Sequence, residues 1–239
     1  AGIGASDGPT CLYESSLLAP EVPPAIAVTA YSYMSLVPII QPPLMRMFTT
    51  SKERRIRMEY APRPVPRSAV IAFPIVVTIV VGMLVPASAP LVATLMFGSL
   101  LKESGVVNQL ASTASNELAT LSTIFLGLTV GSLMQADTFL QQQTLFILLL
   151  GLIAFAFDTV AGIIFGKILA TVTGGKVNPL VGAAGISAFP MSGRLVQKVA
   201  QEEDFTNHVL MHAMGANTAG QLGSVIAGGI LLTLVQMLG

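Results

Sequence analysis

The sequence predicts an all-α, polytopic membrane protein whose helices are interrupted by broken or re-entrant stretches. Only 10% of its 239 residues are charged, whereas a soluble domain carries about 25%. Its mean hydropathy is +0.75, and uncharged runs of about 20 residues, enough to cross a bilayer, recur along the chain. These observations exclude a soluble globular domain and favour a lipid bilayer as the surroundings of the chain.

Five predominantly apolar runs are predicted to span the membrane: 22–45, 69–87, 118–136, 144–166 and 210–238. Three prolines near the end of the first run should kink or end its helix: Pro38, Pro42 and Pro43. The apolar piece 90–101 is better suited to a re-entrant or half-membrane helix than to a full crossing. Shorter helices are expected over 11–20 and, with a polar sequence, over about 192–203.

A basic loop over about 46–67 orients the chain. It contains seven of the twelve lysines and arginines: Arg46, Lys52, Arg54, Arg55, Arg57, Arg63 and Arg67. Cytoplasmic loops carry such an excess of positive charge, so we expect this loop in the cytoplasm. A nucleic-acid-binding patch is disfavoured, because the loop lies between two apolar spans. Residues 1–239 are therefore interpreted as one membrane domain without a nucleic-acid partner.

Two stretches rich in Gly and Pro interrupt the helical pattern: GASDGPT at 4–10 and NPLVGAAGIS at 178–187. Glycine is conformationally loose and proline lacks an N–H donor, so neither stretch favours a continuous helix. At membrane depth, irregular backbone persists only where protein buries it or water reaches it. The stretches carry Asp7, Asn178 and Ser187, and their meeting would form an ion or substrate site near the middle of the bilayer.

The two stretches suggest an inverted repeat. Each is followed by a short helix and then by a span with polar residues near its start. The separation from Ser6 to Tyr31 is 25 residues, and that from Ser187 to His212 is also 25. Inverted repeats are typical of transporters with discontinuous helices. The sequence identity between the halves is slight, so the pattern leaves open whether a structural repeat exists.

Asp7 is the most informative single residue. Its carboxylate, beside backbone carbonyls of a broken helix, is an oxygen ligand of the kind that hard cations prefer. The alternative is that Asp7, together with Thr10, caps the helix that follows.

Other polar residues also have two interpretations. Asn178, Ser187 and Asn217 could supply ligand oxygens or could form hydrogen bonds between helices. Arg194 could hold a carboxylate or could be a cation extending to the cytoplasmic interface. Asp158 is an acid within a predicted span and is therefore a functional candidate, although its neighbours form no obvious ligand group.

Several long motifs resemble those of the β subunits of sodium-pumping biotin-dependent decarboxylases, which act on oxaloacetate, methylmalonyl-CoA or glutaconyl-CoA. They are GASDGPT at 4–10, IAVTAYSYMSLVPIIQPP at 26–43, TTSKERRIR at 49–57, NPLVG at 178–182 and HAMGANTAG at 212–220. The resemblance covers essentially all 239 residues. Members of this family have preceding N-terminal helices, so we expect the chain to be the C-terminal part of a longer family chain.

The resemblance implies a mechanism and a set of site residues. Such a subunit decarboxylates carboxybiotin, consumes a proton drawn from outside and exports Na⁺. The family's acid falls on Asp7 and its functional tyrosine on Tyr33, with Tyr31 beside it. The remaining polar set falls on Asn178, Gly182, Ser187, Arg194 and Asn217. We expect Asp7, Asn178, Gly182, Ser187 and Asn217 to bind Na⁺, Tyr33 to couple proton and ion movement, and Arg194 to hold the carboxybiotin carboxylate.

The resemblance also implies partners and a location. The expected partners are a carboxyltransferase α subunit, a biotin carrier and a small γ membrane subunit, in an oligomer in the bacterial cytoplasmic membrane. The competing hypothesis is a secondary transporter that moves Na⁺ together with a carboxylate and breaks no bond. A membrane scaffold without chemistry fits the polar residues inside the spans poorly.

Overall fold

A computed structural model describes residues 7–18, 23–59, 64–133 and 136–238. This part of the chain is helical and contains no β-strand, which confirms the all-α prediction. The helices are α1 (Gly8–Leu18), α2 (Pro23–Phe48), α3 (Ser51–Arg54), α4 (Arg67–Leu84), α5 (Ala89–Ser104), α6 (Asn108–Thr113), α7 (Ala119–Leu133), α8 (Ala136–Phe139), α9 (Gln142–Val172), α10 (Met191–Glu203) and α11 (Leu210–Leu238). Three short turns supplement them: the 3₁₀ turns Pro86–Ser88 and Pro179–Ala184 and the π turn Ala114–Leu118.

Three helices in the described ranges are long and apolar enough to cross a membrane: α4, α9 and α11. The final span agrees with the predicted range 210–238. Helix α9 is longer than predicted, since its 31 residues extend about 46 Å, more than the ~30 Å hydrocarbon core. Its last turns lie beside the basic loop, where Lys167 Nζ is 3.3 Å from Glu53 Oε1.

Two boundary predictions were wrong. Helix α2 continues through Pro38, Pro42 and Pro43 to Phe48, because neighbouring protein groups can compensate for the hydrogen bonds that a proline removes from a membrane helix. Helix α1 begins at Gly8, within the stretch that was expected to be unwound. Residues 1–6, which include the first three of the seven residues of the first motif, lie outside the described ranges.

Helices α4 and α5 form a hairpin. The Arg67 guanidinium at the start of α4 donates a hydrogen bond to the carbonyl of Ser104 at the end of α5, at 3.0 Å. The predicted half-membrane piece 90–101 lies within α5, whose 16 residues extend about 24 Å, less than the hydrocarbon core. At the tip of the hairpin, Ser88 Oγ donates to the carbonyl of Val225 at 3.0 Å, so the tip rests against α11.

Contacts define the directions of four helices around the two Gly- and Pro-rich stretches. The first is described over residues 7–10, and the second, residues 178–187, is called the second interruption. Helix α1 is parallel to α11, because Asp7 contacts Ser224 and Glu14 lies against Gly228.

Helix α2 is parallel to α10, because Gln41 contacts Ser192 and Arg46 contacts Glu202. Helix α10 is antiparallel to α11, because Gly193 lies against Met214 while Gln197 accepts the N–H of Val209. Helix α1 therefore runs opposite to α10, and α2 runs opposite to α11, which is the arrangement that an inverted repeat produces.

Backbone contacts lock the second interruption against α9. A Cβ added to Gly182 would overlap the carbonyl oxygen of Gly162. One turn along, a Cβ on Gly166 would come to 2.6 Å from the carbonyl oxygen of Pro179. Close approach of this kind requires residues without side chains.

We predict that Gly182→Ala destabilises the protein by about 1–3 kcal/mol, because backbone atoms must move to admit the new methyl group. The measurement is the thermal unfolding temperature of the purified protein in detergent. Gly127→Ala is the matched control, since no atom lies within 4 Å of the added Cβ. Equal unfolding temperatures for the two variants would contradict the close packing.

Candidate functional site

Asp7 sits at the start of α1 and serves two purposes there. Its Oδ1 accepts the backbone N–H of Thr10 at 3.1 Å, so one carboxylate oxygen caps the helix. Its Oδ2 accepts the Ser224 hydroxyl at 2.5 Å. The side chain is 2% exposed. The cap interpretation is therefore confirmed for one carboxylate oxygen, while binding of a cation by the other oxygen stays a prediction.

Ser224 joins the start of α1 to the second interruption. Its Oγ lies 3.0 Å from Ser187 Oγ while it donates to Asp7. This gives a line of oxygens, Asp7–Ser224–Ser187, across three segments of the chain. Sequence reasoning missed Ser224, although its position seven residues after Asn217 places both on one face of α11.

The line of oxygens contains one carboxyl group and no cationic side chain. No lysine or arginine of the described ranges forms an ion pair with Asp7. An ionised carboxylate out of water is costly unless a cation accompanies it. Carboxylate and hydroxyl oxygens are the ligands that hard cations prefer, so the chemistry of this group favours a small cation.

Asn217 is fully buried and lies on the same face of α11 as Ser224. Its Nδ2 donates to the carbonyl of Ile186 at 2.6 Å, while its Oδ1 has no hydrogen-bond partner in the described part. Seven residues of helix separate Asn217 from Ser224 by about 10 Å. Asn217 therefore offers an unpaired buried oxygen on the same face of α11 as Ser224, and its part in cation binding stays a prediction.

Cavities reach the line of oxygens from two sides. A cavity of about 620 Å³ between α9, α11 and the second interruption is lined by Ser187, Ser224 and Asp158. A cavity of about 300 Å³ between α1, α5 and α11 is lined by Asp7 and Thr10. The hydrogen bond between Ser224 and Asp7 thus connects groups that face different cavities.

Asn178 is directed elsewhere. Its Oδ1 accepts the N–H of Leu180 and caps the turn that follows. Its Nδ2 donates to the carbonyls of Arg54 and Ile56, at 3.0 and 2.8 Å. Asn207, which sequence reasoning did not select, donates to the same two carbonyls. None of these bonds joins Asn178 to Asp7, and its assignment as a cation ligand stays a prediction.

The other predicted residues have separate positions. Gly182 makes the backbone contact with Gly162. Arg194 is exposed on the first turn of α10, and no carboxylate of the described ranges pairs with it. Tyr33 lies in α2, but its side chain is outside the part that the structure describes. The ring of Tyr31 packs against Gly8, and a Cβ added to Gly8 would lie 3.1 Å from two ring carbons of Tyr31.

An ion-pair cluster holds the basic loop to the end of α10. Arg46 pairs with Glu202 at 2.7 Å, Arg54 with Glu203, and Arg57 with Asp204 at 2.7 Å. Hydrogen bonds from Ser51 and Arg54 lower the pKa of Glu203. Hydrogen bonds from Thr206 and Arg57 lower the pKa of Asp204 to about 2.

We predict that Asp204→Asn lowers the thermal unfolding temperature at pH 7, because Arg57 loses its ionised partner. A carboxyl group with a lowered pKa stabilises the folded state above its ordinary pKa of 3.8, and this contribution is lost as the pH falls to about 2. The difference between wild type and variant should therefore shrink over that range. Glu103→Gln, at an exposed carboxyl outside the described ion pairs, is the control. A difference that persists undiminished at pH 2 would contradict the ionic origin.

Fold and site together define a class: an all-helical membrane protein with an uncompensated buried acid at a helix start, facing an interrupted segment. The chain belongs to the family of the Na⁺-transporting oxaloacetate decarboxylase beta subunit, whose model matches residues 1–235.

Decarboxylase subunits of several bacteria are similar to this chain in sequence. The probable oxaloacetate decarboxylase beta chain of Pasteurella multocida is 53% identical over 236 residues, covering 99% of this chain and 54% of that relative. The oxaloacetate decarboxylase beta chain of Klebsiella pneumoniae is 52% identical over 233 residues, covering 98% and 54%. The methylmalonyl-CoA decarboxylase subunit beta of Veillonella parvula is 49% identical over 234 residues, covering 98% and 62%. The chain thus spans between about half and two thirds of the length of these relatives.

Proposed function

We propose that this chain forms the membrane-embedded core of a sodium-pumping, biotin-dependent decarboxylase. In this proposal, the free energy of carboxybiotin decarboxylation drives Na⁺ from the cytoplasm to the outside of a bacterial cytoplasmic membrane. The observation that carries the proposal is the Asp7–Ser224–Ser187 line, where a buried carboxylate faces hydroxyl oxygens without a basic partner. Family membership supplies the reaction class.

The cation would bind at the line of oxygens. Asp7 would supply the charge, and Ser224 and Ser187 would supply neutral oxygens that replace water around the ion. Asn217, about 10 Å along α11, would provide the next oxygen through its unpaired Oδ1. Access would come through the two cavities, one lined by Ser187 and one by Asp7.

Carboxybiotin would enter from the cytoplasmic side as the substrate of this subunit. Cleavage of its N–C bond releases CO₂, and the nitrogen takes up one proton to give biotin. Arg194 would hold the carboxylate, since its guanidinium is exposed and unpaired in the described part of the chain. Tyr33 would pass the proton, a role that rests on the resemblance.

The partners and substrate follow from the family. The related decarboxylases are named for oxaloacetate and for methylmalonyl-CoA. We propose that a carboxyltransferase α subunit selects the acid, that a biotin carrier delivers the carboxyl group, and that a small γ subunit completes the membrane complex. The exposed cations of the basic loop and α10 face the side from which a carrier would approach.

We predict that Asp7→Asn abolishes the Na⁺ dependence of decarboxylation. Removing one member of a buried charge pair costs about 3 kcal/mol or more, equivalent to about 100-fold in Na⁺ affinity. The experiment uses the complete complex in sealed vesicles and measures CO₂ release and ²²Na⁺ transport against Na⁺ concentration.

Asp137→Asn is the control for Asp7→Asn, because Asp137 is an exposed acid of α8 that belongs neither to the line of oxygens nor to the lining of the two cavities. An Asp7→Asn complex with an unchanged Na⁺ response would remove Asp7 from the site. Na⁺-driven uptake of a carboxylate by the wild type, with no CO₂ release, would replace the pump with a secondary transporter.

We predict that Arg194→Ala raises the KM for carboxybiotin about 10- to 100-fold, the loss expected for a hydrogen bond to a charged group. The Na⁺ concentration for half-maximal activity should stay unchanged, because Arg194 forms no contact with the line of oxygens. Lys198→Ala, another exposed cation on α10, is the matched control. Equal KM values for both variants would show that neither cation holds the carboxylate.

A further inference from the structure

We infer that Gln41 is a positioning residue that sets the geometry of the cation site. It does so by holding the loop over residues 185–190, which carries Ser187. This inference rests on the proposed function, since it concerns the same site. Gln41 lies in α2 and is fully buried, and it is not a member of the line of oxygens.

Gln41 closes the base of the loop. Its Nε2 donates to the carbonyl of Ala183 and to Ser192 Oγ, both at 2.7 Å. Ser192 Oγ in turn donates to the same carbonyl of Ala183 at 3.1 Å. The three groups form a triangle that joins the last turn before the loop to the first turn of α10. Ser187 lies near the middle of the segment between them.

The tip of the loop is held separately, by α11. Asn217 donates to the carbonyl of Ile186, and Gly220 leaves room for the carbonyl of Gly185. The base contact from α2 and the tip contact from α11 together fix where Ser187 Oγ meets Ser224. Loosening the base would shift Ser187 while leaving Asp7 and Ser224 in contact.

Stability alone does not account for a glutamine at this position. The amide nitrogen must face Ala183 O, because a carbonyl can only accept hydrogen bonds. The remaining amide oxygen, Oε1, is buried and has no hydrogen-bond partner in the described part, which costs about 1–3 kcal/mol. An apolar side chain of similar size would avoid this cost, and the Ala183 carbonyl would still accept from Ser192. The glutamine adds a direct connection from α2 to both ends of the loop.

The helix pairs α1–α2 and α10–α11 hold each other's interrupted segments in corresponding ways. Helix α11 holds the start of α1 through Ser224, and α2 holds the second interruption through Gln41. With the 181-residue offset from Ser6 to Ser187, Gln41 corresponds to Leu222, two residues before Ser224. Each interruption is thus held by a polar side chain from the long helix of the other pair, at nearly the same depth.

The test compares Gln41→Leu with wild type in the complete complex. We expect the Na⁺ concentration for half-maximal decarboxylation to rise about tenfold, the effect of one displaced ligand contact. The maximal rate at saturating Na⁺ should remain within about twofold, since the carboxybiotin contacts are untouched. The rise in unfolding temperature on adding Na⁺ should shrink in parallel.

Two further variants separate positioning from folding. Ser192→Ala removes the other donor to Ala183 O, so it should shift the Na⁺ response in the same direction, and its effect should be non-additive with Gln41→Leu. Ser35→Ala is the control, because Ser35 is exposed on the same helix and bonds only to Ser32 within it.

Distinct outcomes overturn the two proposals. If wild type responds to Na⁺ and Gln41→Leu responds identically, with only a uniform loss of stability, Gln41 has no positioning role. If Gln41→Leu does not fold, an unchanged Na⁺ response in Ser192→Ala overturns the inference. A wild-type complex that decarboxylates without any Na⁺ dependence overturns the proposed function itself.

Discussion

A hydroxyl group on α11 connects the two interrupted segments of this protein. Ser224 bonds to Asp7 on one side and meets Ser187 on the other, so neither segment needs to touch the other directly. The arrangement depends on a serine small enough to fit between them and on a helix straight enough to present it. The Asp7 carboxyl group then lies against the Ser224 hydroxyl group, and no lysine or arginine in the described part of the chain forms an ion pair with it.

The helices around this group are arranged crosswise. Helices α1 and α11 run in one direction, and α2 and α10 run in the other. Helix α11 holds the start of α1, and α2 holds the second interruption. A displacement of α2 or α11 therefore moves the segment that this helix holds and also the segment that precedes the helix in the chain. Such reciprocal support explains how polar groups that are distant in sequence can respond together to one bound ion.

The sequence predicted the helical class, the final span and the polar helix before it, because long apolar runs and charge distribution determine them. It also selected Asp7 and Ser187, which proved to be two of the three members of the line of oxygens. It did not select Ser224, since a serine in an apolar helix has no local signature that separates a packing role from a binding role. Asn178 was expected at the cation, yet Asn followed by Pro is equally suited to capping a turn. Only tertiary contacts with Arg54 and Ile56 decide between these roles. The prolines of α2 do not end the helix, because the effect of a proline in a membrane helix depends on neighbouring helices.

The glycine contact between α9 and the second interruption restricts how the protein can move. Where backbones touch without intervening side chains, no change of rotamer can let one segment slide along the other. Gly162 and Gly166 therefore bind α9 and the turn at Pro179–Ala184 into one mechanical unit. Any rearrangement that exposes the buried carboxylate alternately to the two membrane faces must carry this unit as a rigid body, with the hinge located elsewhere in the bundle.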